Sequence, residues 1–235
     1  MSVDKLVDST QLDADLTSVA NAIRTKGGTS AQLAFPAGFV SAIGDISGGG
    51  GDNLPAFLMG TLTEIDDDSV TSIRPYAFRS YSGMTSVKLH NATAFGTQAF
   101  YGFGSATVLA LPAAASWPPI TSSSIQTLDM GPNVGGINSG MIQNATNLAA
   151  LIIRKTSLVS LANTSQFNGT KFANGSTGGT IYIPKVLYDH LGDGTALDYK
   201  AATNWSTIDG YGTITWAQIE GSYYETHYAD GTPIT

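Results

Sequence analysis

The sequence predicts an α+β chain with short N-terminal helices, a central repeat solenoid of short parallel β-strands and a C-terminal β cap. Three observations support this prediction: apolar residues at helical spacing near the N-terminus, an apolar pattern that recurs at a constant offset, and strand-like segments near the C-terminus. The predicted parts are a helical attachment and oligomerisation module over 1-46, a glycine-rich linker over 47-54, the solenoid over 55-208 and the cap over 209-235.

The N-terminal module carries one apolar stripe. Four apolar residues follow one another at spacings of four, three and four: Leu12, Leu16, Val19 and Ile23. This spacing predicts a helix over about residues 11 to 26, and Phe39 lies in a second short helix that Pro36 can begin. Isolated helices shorter than about 12 to 15 residues are marginal in water. We therefore favour attachment and oligomerisation contacts for this stripe, in a homotrimer, over a role as one face of a helical pair.

The middle of the chain repeats itself. Four apolar residues, Ile73, Phe78, Val87 and Leu89, recur 22 residues later as Phe95, Phe100, Leu109 and Leu111. A further copy lies 64 residues beyond the first, with a degenerate copy between, so the period is about 19 to 30 residues, in or near the leucine-rich-repeat range.

Each repeat predicts one short strand whose alternate residues face inward. The predicted inward pairs are Val87/Leu89, Leu109/Leu111, Leu128/Met130, Leu151/Ile153 and Ile181/Ile183. The residues between them form the predicted outward column: Lys88, Ala110, Asp129, Ile152 and Tyr182. We expect that column to be a mixed surface suited to contact with a ligand.

Three segments resemble a known family. The pattern I-x-x-x-A-F…L-x-x-V-x-L is present at Ile73, Ala77, Phe78, Met84, Val87 and Leu89. The segments 181–184 and 199–207 are similar to a closing "IYVP…YKAATNWS" motif. These features resemble BspA-type leucine-rich repeats of bacterial surface proteins and of phage or prophage tail proteins. Residues 12–39 resemble a leader module on tail-associated proteins of phages that infect Gram-positive bacteria.

The resemblance implies a virion structural protein of a phage tail or baseplate, either a tail fibre or a receptor-binding component. Its partners would be other tail or baseplate proteins and a host cell-surface glycan or protein, and it would be made in the host cytoplasm. Two alternatives stay open: a bacterial BspA-like surface adhesin, which the lack of a signal-peptide pattern disfavours, and a tail-associated polysaccharide depolymerase.

Composition narrows the classes of partner. Only 12% of the residues are charged and the formal net charge is −7, which disfavours nucleic-acid binding. No apolar run approaches the roughly 18 residues of a membrane span, so we expect no membrane insertion. Cysteine is absent, which excludes disulfides and thiolate metal sites. We expect no cofactor.

The sequence predicts no catalytic or metal site. It has no common nucleotide, hydrolase or metalloprotease motif, and its three histidines lack metal-ligand spacing, which favours surface or structural roles. The acidic run that includes Asp66-Asp68 could hold Ca²⁺, but a solvated turn is favoured because the loop lacks a suitably placed bidentate glutamate and the usual glycine. Two carboxylate pairs lack supporting context: Asp189/Asp193 and Asp129/Glu64.

Aromatic residues near the C-terminus are candidates for ligand binding, because their faces suit sugars or protein partners. The candidate set is Trp205, Tyr211, Trp216, Tyr223, Tyr224 and Tyr228, with Trp117 from an irregular loop and Lys88 and Tyr182 from the outward column. The favoured alternative for the late aromatics is that they fill the core of the cap. Strands are predicted at 213–216 and 223–228, with a turn at Asp230-Gly231.

Overall fold

The structure, a computed structural model, describes residues 16–24, 61–102, 104–117, 119–120, 124–138 and 140–234. It is α+β, with few helices and one large parallel sheet. The chain separates into two units, Met1–Met59 and Gly60–Thr235, which are described separately. Among the described residues, no helix is long and apolar enough to cross a membrane.

In the first unit, residues 16–24 are helical (α1), inside the range that the apolar stripe predicts. Ile23 is buried and Leu16 is half-buried, whereas Val19 is 49% exposed. The other attachment residues, Leu12 and Phe39, lie outside the described residues. The predicted second helix and the glycine-rich linker lie outside them too.

The second unit is built on a seven-stranded sheet in which every neighbouring pair is parallel. Its strands, in sheet order, are β1 (Glu64–Asp66), β3 (Ser86–Lys88), β5 (Val108–Leu111), β6 (Thr127–Met130), β8 (Ala150–Ile153), β10 (Gly179–Ile183) and β11 (Ile214–Gln218). Apart from β11, the strands follow one another in the sheet at the period seen in the sequence. The predicted parallel arrangement of short strands is confirmed.

The register of this sheet agrees with the predicted columns. Leu109 pairs with Leu128, Leu128 with Leu151, and Leu151 with Ile181. All ten residues of the predicted inward pairs are buried. Because side chains alternate across a strand, the same register stacks the intervening residues, so that Ala110 lies beside Asp129.

Two features of the repeats differ from the prediction. Glu64–Asp66, which the acidic composition assigned to a turn, is strand β1, because Ile65 is buried and pairs with Val87 one repeat later. The prediction of one strand per repeat was also wrong. Short second strands also pair in parallel: β2 (Ser72–Ile73) with β4 (Ala94–Phe95), and β7 (Gly136–Ile137) with β9 (Ser160–Leu161).

Left-handed backbone conformations recur with the repeat. Positive φ values occur at Tyr76, Gln98 and Gly140, and again at Ser80, Gly102 and Asn144. The offsets within each set are 22 and 64 residues, the same as those of the apolar residues. Since non-glycine residues rarely adopt φ > 0, Tyr76, Gln98, Ser80 and Asn144 show that the turn geometry is repeated even where glycine is not.

The chain after β10 adds the last strand to the sheet and then turns back toward the earlier strands. Helices α2 (Lys185–Tyr188) and α3 (Trp205–Asp209) precede β11, which adds the last strand to the sheet beside β10. The strand predicted over 223–228 was wrong: Tyr223–Glu225 form a 3₁₀ turn, which the Ser222 side chain caps by accepting a hydrogen bond from the Tyr224 N–H. The turn at Asp230-Gly231 is present, with an antiparallel bridge between His227 and Pro233.

Two aromatic residues of the closing motif pack against the repeats and form hydrogen bonds to their backbone. The Tyr199 hydroxyl accepts a hydrogen bond from the Val159 N–H at 3.1 Å, and the Trp205 indole donates to the Val159 carbonyl at 2.7 Å. The two rings lie 5.0 Å apart, and both are buried. They therefore satisfy both backbone groups of one residue next to β9 while filling the core.

Close contact between successive repeats predicts a strong effect of Gly131→Ala. An added Cβ would lie 1.7 Å from the Pro112 carbonyl oxygen, which is backbone and cannot move alone. We expect a loss of about 3 kcal/mol of unfolding free energy, the upper end for overpacking. The control is Gly135→Ala, whose Cβ would meet its nearest atom at 3.7 Å and should change stability by less than about 0.5 kcal/mol. Equal urea midpoints for the two variants would contradict this account.

Asp198 predicts a pH dependence of stability. Burial alone would raise the pKa of Asp198, but hydrogen bonds from the backbone N–H groups of Gly192, Gly194 and Lys200 lower it below the ordinary value of 3.8. The folded protein therefore holds this proton less tightly than the unfolded chain, so the stabilisation is present above pH 3.8 and is lost as the pH falls through the folded pKa.

Asp198→Asn should accordingly lower the unfolding free energy by about 1 to 3 kcal/mol at pH 7 and flatten its decline in acid. Urea titrations between pH 2 and pH 7, values spanning the ordinary pKa of Asp, measure both effects. Asp189→Asn is the control, because that carboxylate is half-exposed and pairs with Lys185, four residues before it in the chain. A decline of unchanged steepness in Asp198→Asn would refute the assignment.

Candidate binding site

A groove of about 360 Å³ lies at the carboxyl ends of four successive strands of the large sheet. Because parallel strands end at one edge, residues just after β1, β3, β5 and β6 meet there. The C-terminal segment, residues 226–234, forms the remaining wall. The lining residues are Asp68, His90, Asn91, Pro112, Ala113, Pro132, Tyr228, Thr232 and Pro233.

His90 joins the two walls of the groove. Its Nδ1 lies 3.1 Å from Asp68 Oδ1, and its Nε2 lies 2.8 Å from Asp230 Oδ2 on the C-terminal segment. The ring also stacks on Tyr228 with the centroids 5.3 Å apart. The Asp68 side chain remains 60% exposed, whereas that of Asp230 is almost fully buried. The Asp68 carboxylate is thus largely open to solvent in the groove, whereas the Asp230 carboxylate serves the structure.

The C-terminal segment is held by a buried ion pair. The Arg154 guanidinium donates to both oxygens of Asp129, each at 2.7 Å, in the bidentate geometry that is strongest for this pair. Arg154 also donates to the carbonyls of Tyr224 and His227, and the Ala229 N–H donates to Asp129 Oδ2. Both members of the pair therefore bond directly to the segment.

The environment of Asp129 is strongly desolvated. Burial raises the pKa of Asp129, while the Arg154 guanidinium and the Ala229 N–H act in the opposite direction. The Arg154 guanidinium also lies 5.1 Å from the centre of the Tyr228 ring, a cation–π contact that ties the pair to the groove. Since Asp129 is fully buried and β1 is three strands away, Asp129 and Glu64 do not form an open carboxylate pair.

The expectation that the outward column forms an exposed surface was wrong at its centre. Ala110, Asp129 and Ile152 are fully buried. Asp129 is covered because the C-terminal segment crosses the sheet there. At the ends of the column, Lys88 is half-buried and lies 3.7 Å from Asp66, and Tyr182 is half-buried against the ring of Tyr224.

The structure places most of the aromatic candidates away from the groove. Trp205 is buried in the core, so it is no exposed platform, and Trp216 is half-buried and stacks on Tyr199 with its indole bonded to Asp209. Trp117 is buried as well, and its Nε1 has no hydrogen-bond partner among the described residues. Trp205 therefore fits the alternative prediction, in which the late aromatic residues fill a core.

The remaining aromatic candidates lie nearer the surface. Tyr211 and Tyr224 are half-buried, and Tyr223 is 55% exposed and stacks on His227. Tyr228 alone among the predicted binding residues lines the groove.

The acidic run lies at one end of the groove. Asp67 accepts hydrogen bonds from the Ser69 N–H and hydroxyl, and the backbone turns at 67–70. Within the part of the chain that the structure describes, no three His, Cys, Asp or Glu side chains converge as metal ligands. The other predicted carboxylate pair is engaged separately, Asp189 with Lys185 and Asp193 with His190.

Sequence reasoning missed most of the groove. Asp68 and His90 lie 22 residues apart and two residues beyond their strands, so the repeat offset could have placed them side by side. Arg154 and Asp230 gave no comparable signal, because no periodicity relates the C-terminal segment to the sheet. Comparison of the chain with protein-family models, curated proteins and solved structures gives no match.

The buried pair predicts a steep cost for removing one partner. Arg154→Met leaves the Asp129 carboxylate buried without its counter-ion and should lower the unfolding free energy by about 3 to 5 kcal/mol. The matched control is the double variant Asp129→Leu/Arg154→Met, which buries no charge and should lose less. Urea denaturation measures the stability, and amide hydrogen exchange over 222–234 reports whether the segment loosens. A double variant less stable than Arg154→Met would contradict the prediction.

Proposed function

We propose that the chain is a virion structural protein of a phage tail or baseplate, in which a BspA-type leucine-rich-repeat solenoid is presented for binding to the host surface. The observation that carries the proposal is the stack of in-register parallel strands closed by the motif residues Tyr199 and Trp205. The repeat and the closing segment, which are the two features that resemble the BspA-type family, thus belong to one packed unit.

The repeat geometry supports the solenoid part of the proposal. Equivalent strands, equivalent second strands and equivalent left-handed turns recur at shared offsets. Each repeat then contacts mainly its neighbours, which gives an extended and rigid surface. Such a surface binds through many groups held in place beforehand, so little conformational entropy is lost on contact.

The groove supports the binding part. It is concave, its lining combines polar side chains with proline and tyrosine rings, and it includes residues that follow four strands together with the C-terminal segment. In this proposal residues 1-46 attach the chain to the particle and associate three copies. Three grooves on one particle would multiply a weak individual affinity.

The test is carried out in the phage that encodes the chain. Antibodies against Gly60–Thr235 should label the tail of intact particles, and deletion of residues 1-46 should give particles without the chain although the truncated protein folds. Sedimentation of the full chain should give the mass of a trimer.

Three outcomes would overturn the proposal. Labelling of intact, phage-free cells would favour the surface adhesin, and particles that retain the truncated chain would refute the attachment role. Release of reducing ends from host wall glycan by the purified chain would favour the depolymerase instead.

A further inference from the structure

We propose that the groove at the strand ends is a binding site for an uncharged saccharide of one or two rings. The proposal rests on the proposed host-surface role, since it names the chemistry of the ligand.

The size of the groove fits a small ligand. Its volume of about 360 Å³ lies at the lower end of the range for sites that enclose small molecules. The walls come from strand ends and from a segment held by the Asp129–Arg154 pair, so the shape exists before a ligand arrives. A folded protein partner would need a much wider contact area.

Two adjacent polar side chains face the groove with unused hydrogen-bonding capacity. The Asp68 carboxylate bonds to His90 through Oδ1, and its Oδ2 has no partner among the described residues. Asn91 uses one N–H on the Asp68 carbonyl, which leaves its second N–H and its amide oxygen available. The carboxylate can accept a hydrogen bond from one sugar hydroxyl. The carboxamide beside it can both donate to and accept from the adjacent hydroxyl of the same sugar.

Proline and tyrosine rings form other parts of the lining. Pro112, Pro132 and Pro233 lie around the groove, and the Tyr228 ring is held between contacts with His90 and Arg154. The C–H face of a pyranose can pack on such surfaces, since aromatic rings and proline rings offer contact area at little cost in side-chain entropy.

The charge of the site disfavours an anionic ligand. Asp68 is the exposed charged group of the lining, and the Arg154 cation is already bonded to Asp129 and to two backbone carbonyls. The chain itself carries a formal net charge of −7. A phosphate or uronate would meet repulsion without a free cation to offset it.

The test uses the purified full chain and matched sugar probes. The uncharged probes are N-acetylglucosamine, methyl glucoside, cellobiose and the methyl ester of glucuronate, and the anionic probes are glucuronate and glucose 6-phosphate. Amide NMR titration should show shifts at His90, Asn91 and Thr232 with at least one uncharged probe. The methyl ester should bind more tightly than glucuronate, because esterification adds one methyl group and removes the negative charge of the carboxyl group.

Variants locate the site. Asn91→Ala should raise the dissociation constant about tenfold, because it removes the hydrogen bonds that the amide would form with the sugar. Asp68→Asn should reduce the preference for the ester over free glucuronate. Tyr101→Ala, an exposed tyrosine outside the groove, should leave binding unchanged and serves as the control.

The inference fails if none of the probes shifts these amides, if glucuronate binds as tightly as its ester, or if Tyr101→Ala weakens binding as much as Asn91→Ala. It fails too if shifts appear only with a host surface protein. Each of these results concerns the isolated chain, whereas particle labelling tests the tail role, so one proposal can fail while the other stands.

Discussion

Each strand of the large sheet forms parallel hydrogen bonds to the equivalent strand of the next repeat, and this pairing positions the inward columns and the groove. Strands of three to five residues are too short to be stable singly, so each is held by its neighbours and by one or two inward side chains. The close approach of Gly131 to the Pro112 carbonyl shows how little space separates neighbouring repeats. A shift of one residue would turn the inward column outward.

The buried pair of Asp129 and Arg154 adds a second level to this scaffold. A strand residue that the repeat would otherwise expose becomes the anchor of a segment about 100 residues later in the chain. That segment brings Tyr228, Thr232 and Pro233 to the ends of β1, β3, β5 and β6. One wall of the groove therefore comes from the repeats and the other from the C-terminal segment. Only the second wall depends on the ion pair.

Sequence reasoning succeeded where chemistry is periodic. The alternation of apolar residues and the recurrence of the same apolar spacing predicted the register of Leu109, Leu128 and Leu151, because burial of one face penalises any other pairing. It missed β1, since a single buried Ile65 between acidic residues gives little apolar signal. It also placed Trp205 among the binding candidates, although that ring is in the core.

Local spacing and turn chemistry in the sequence are enough to predict the parallel sheet, its inward columns and the turn at Asp230-Gly231. The burial of Asp129, and the link that His90 makes between Asp68 and Asp230, arise from the tertiary fold alone. The physical reason is that these contacts join residues 100 to 140 positions apart, whose pairing depends on where the C-terminal segment crosses the sheet. No local pattern encodes that crossing.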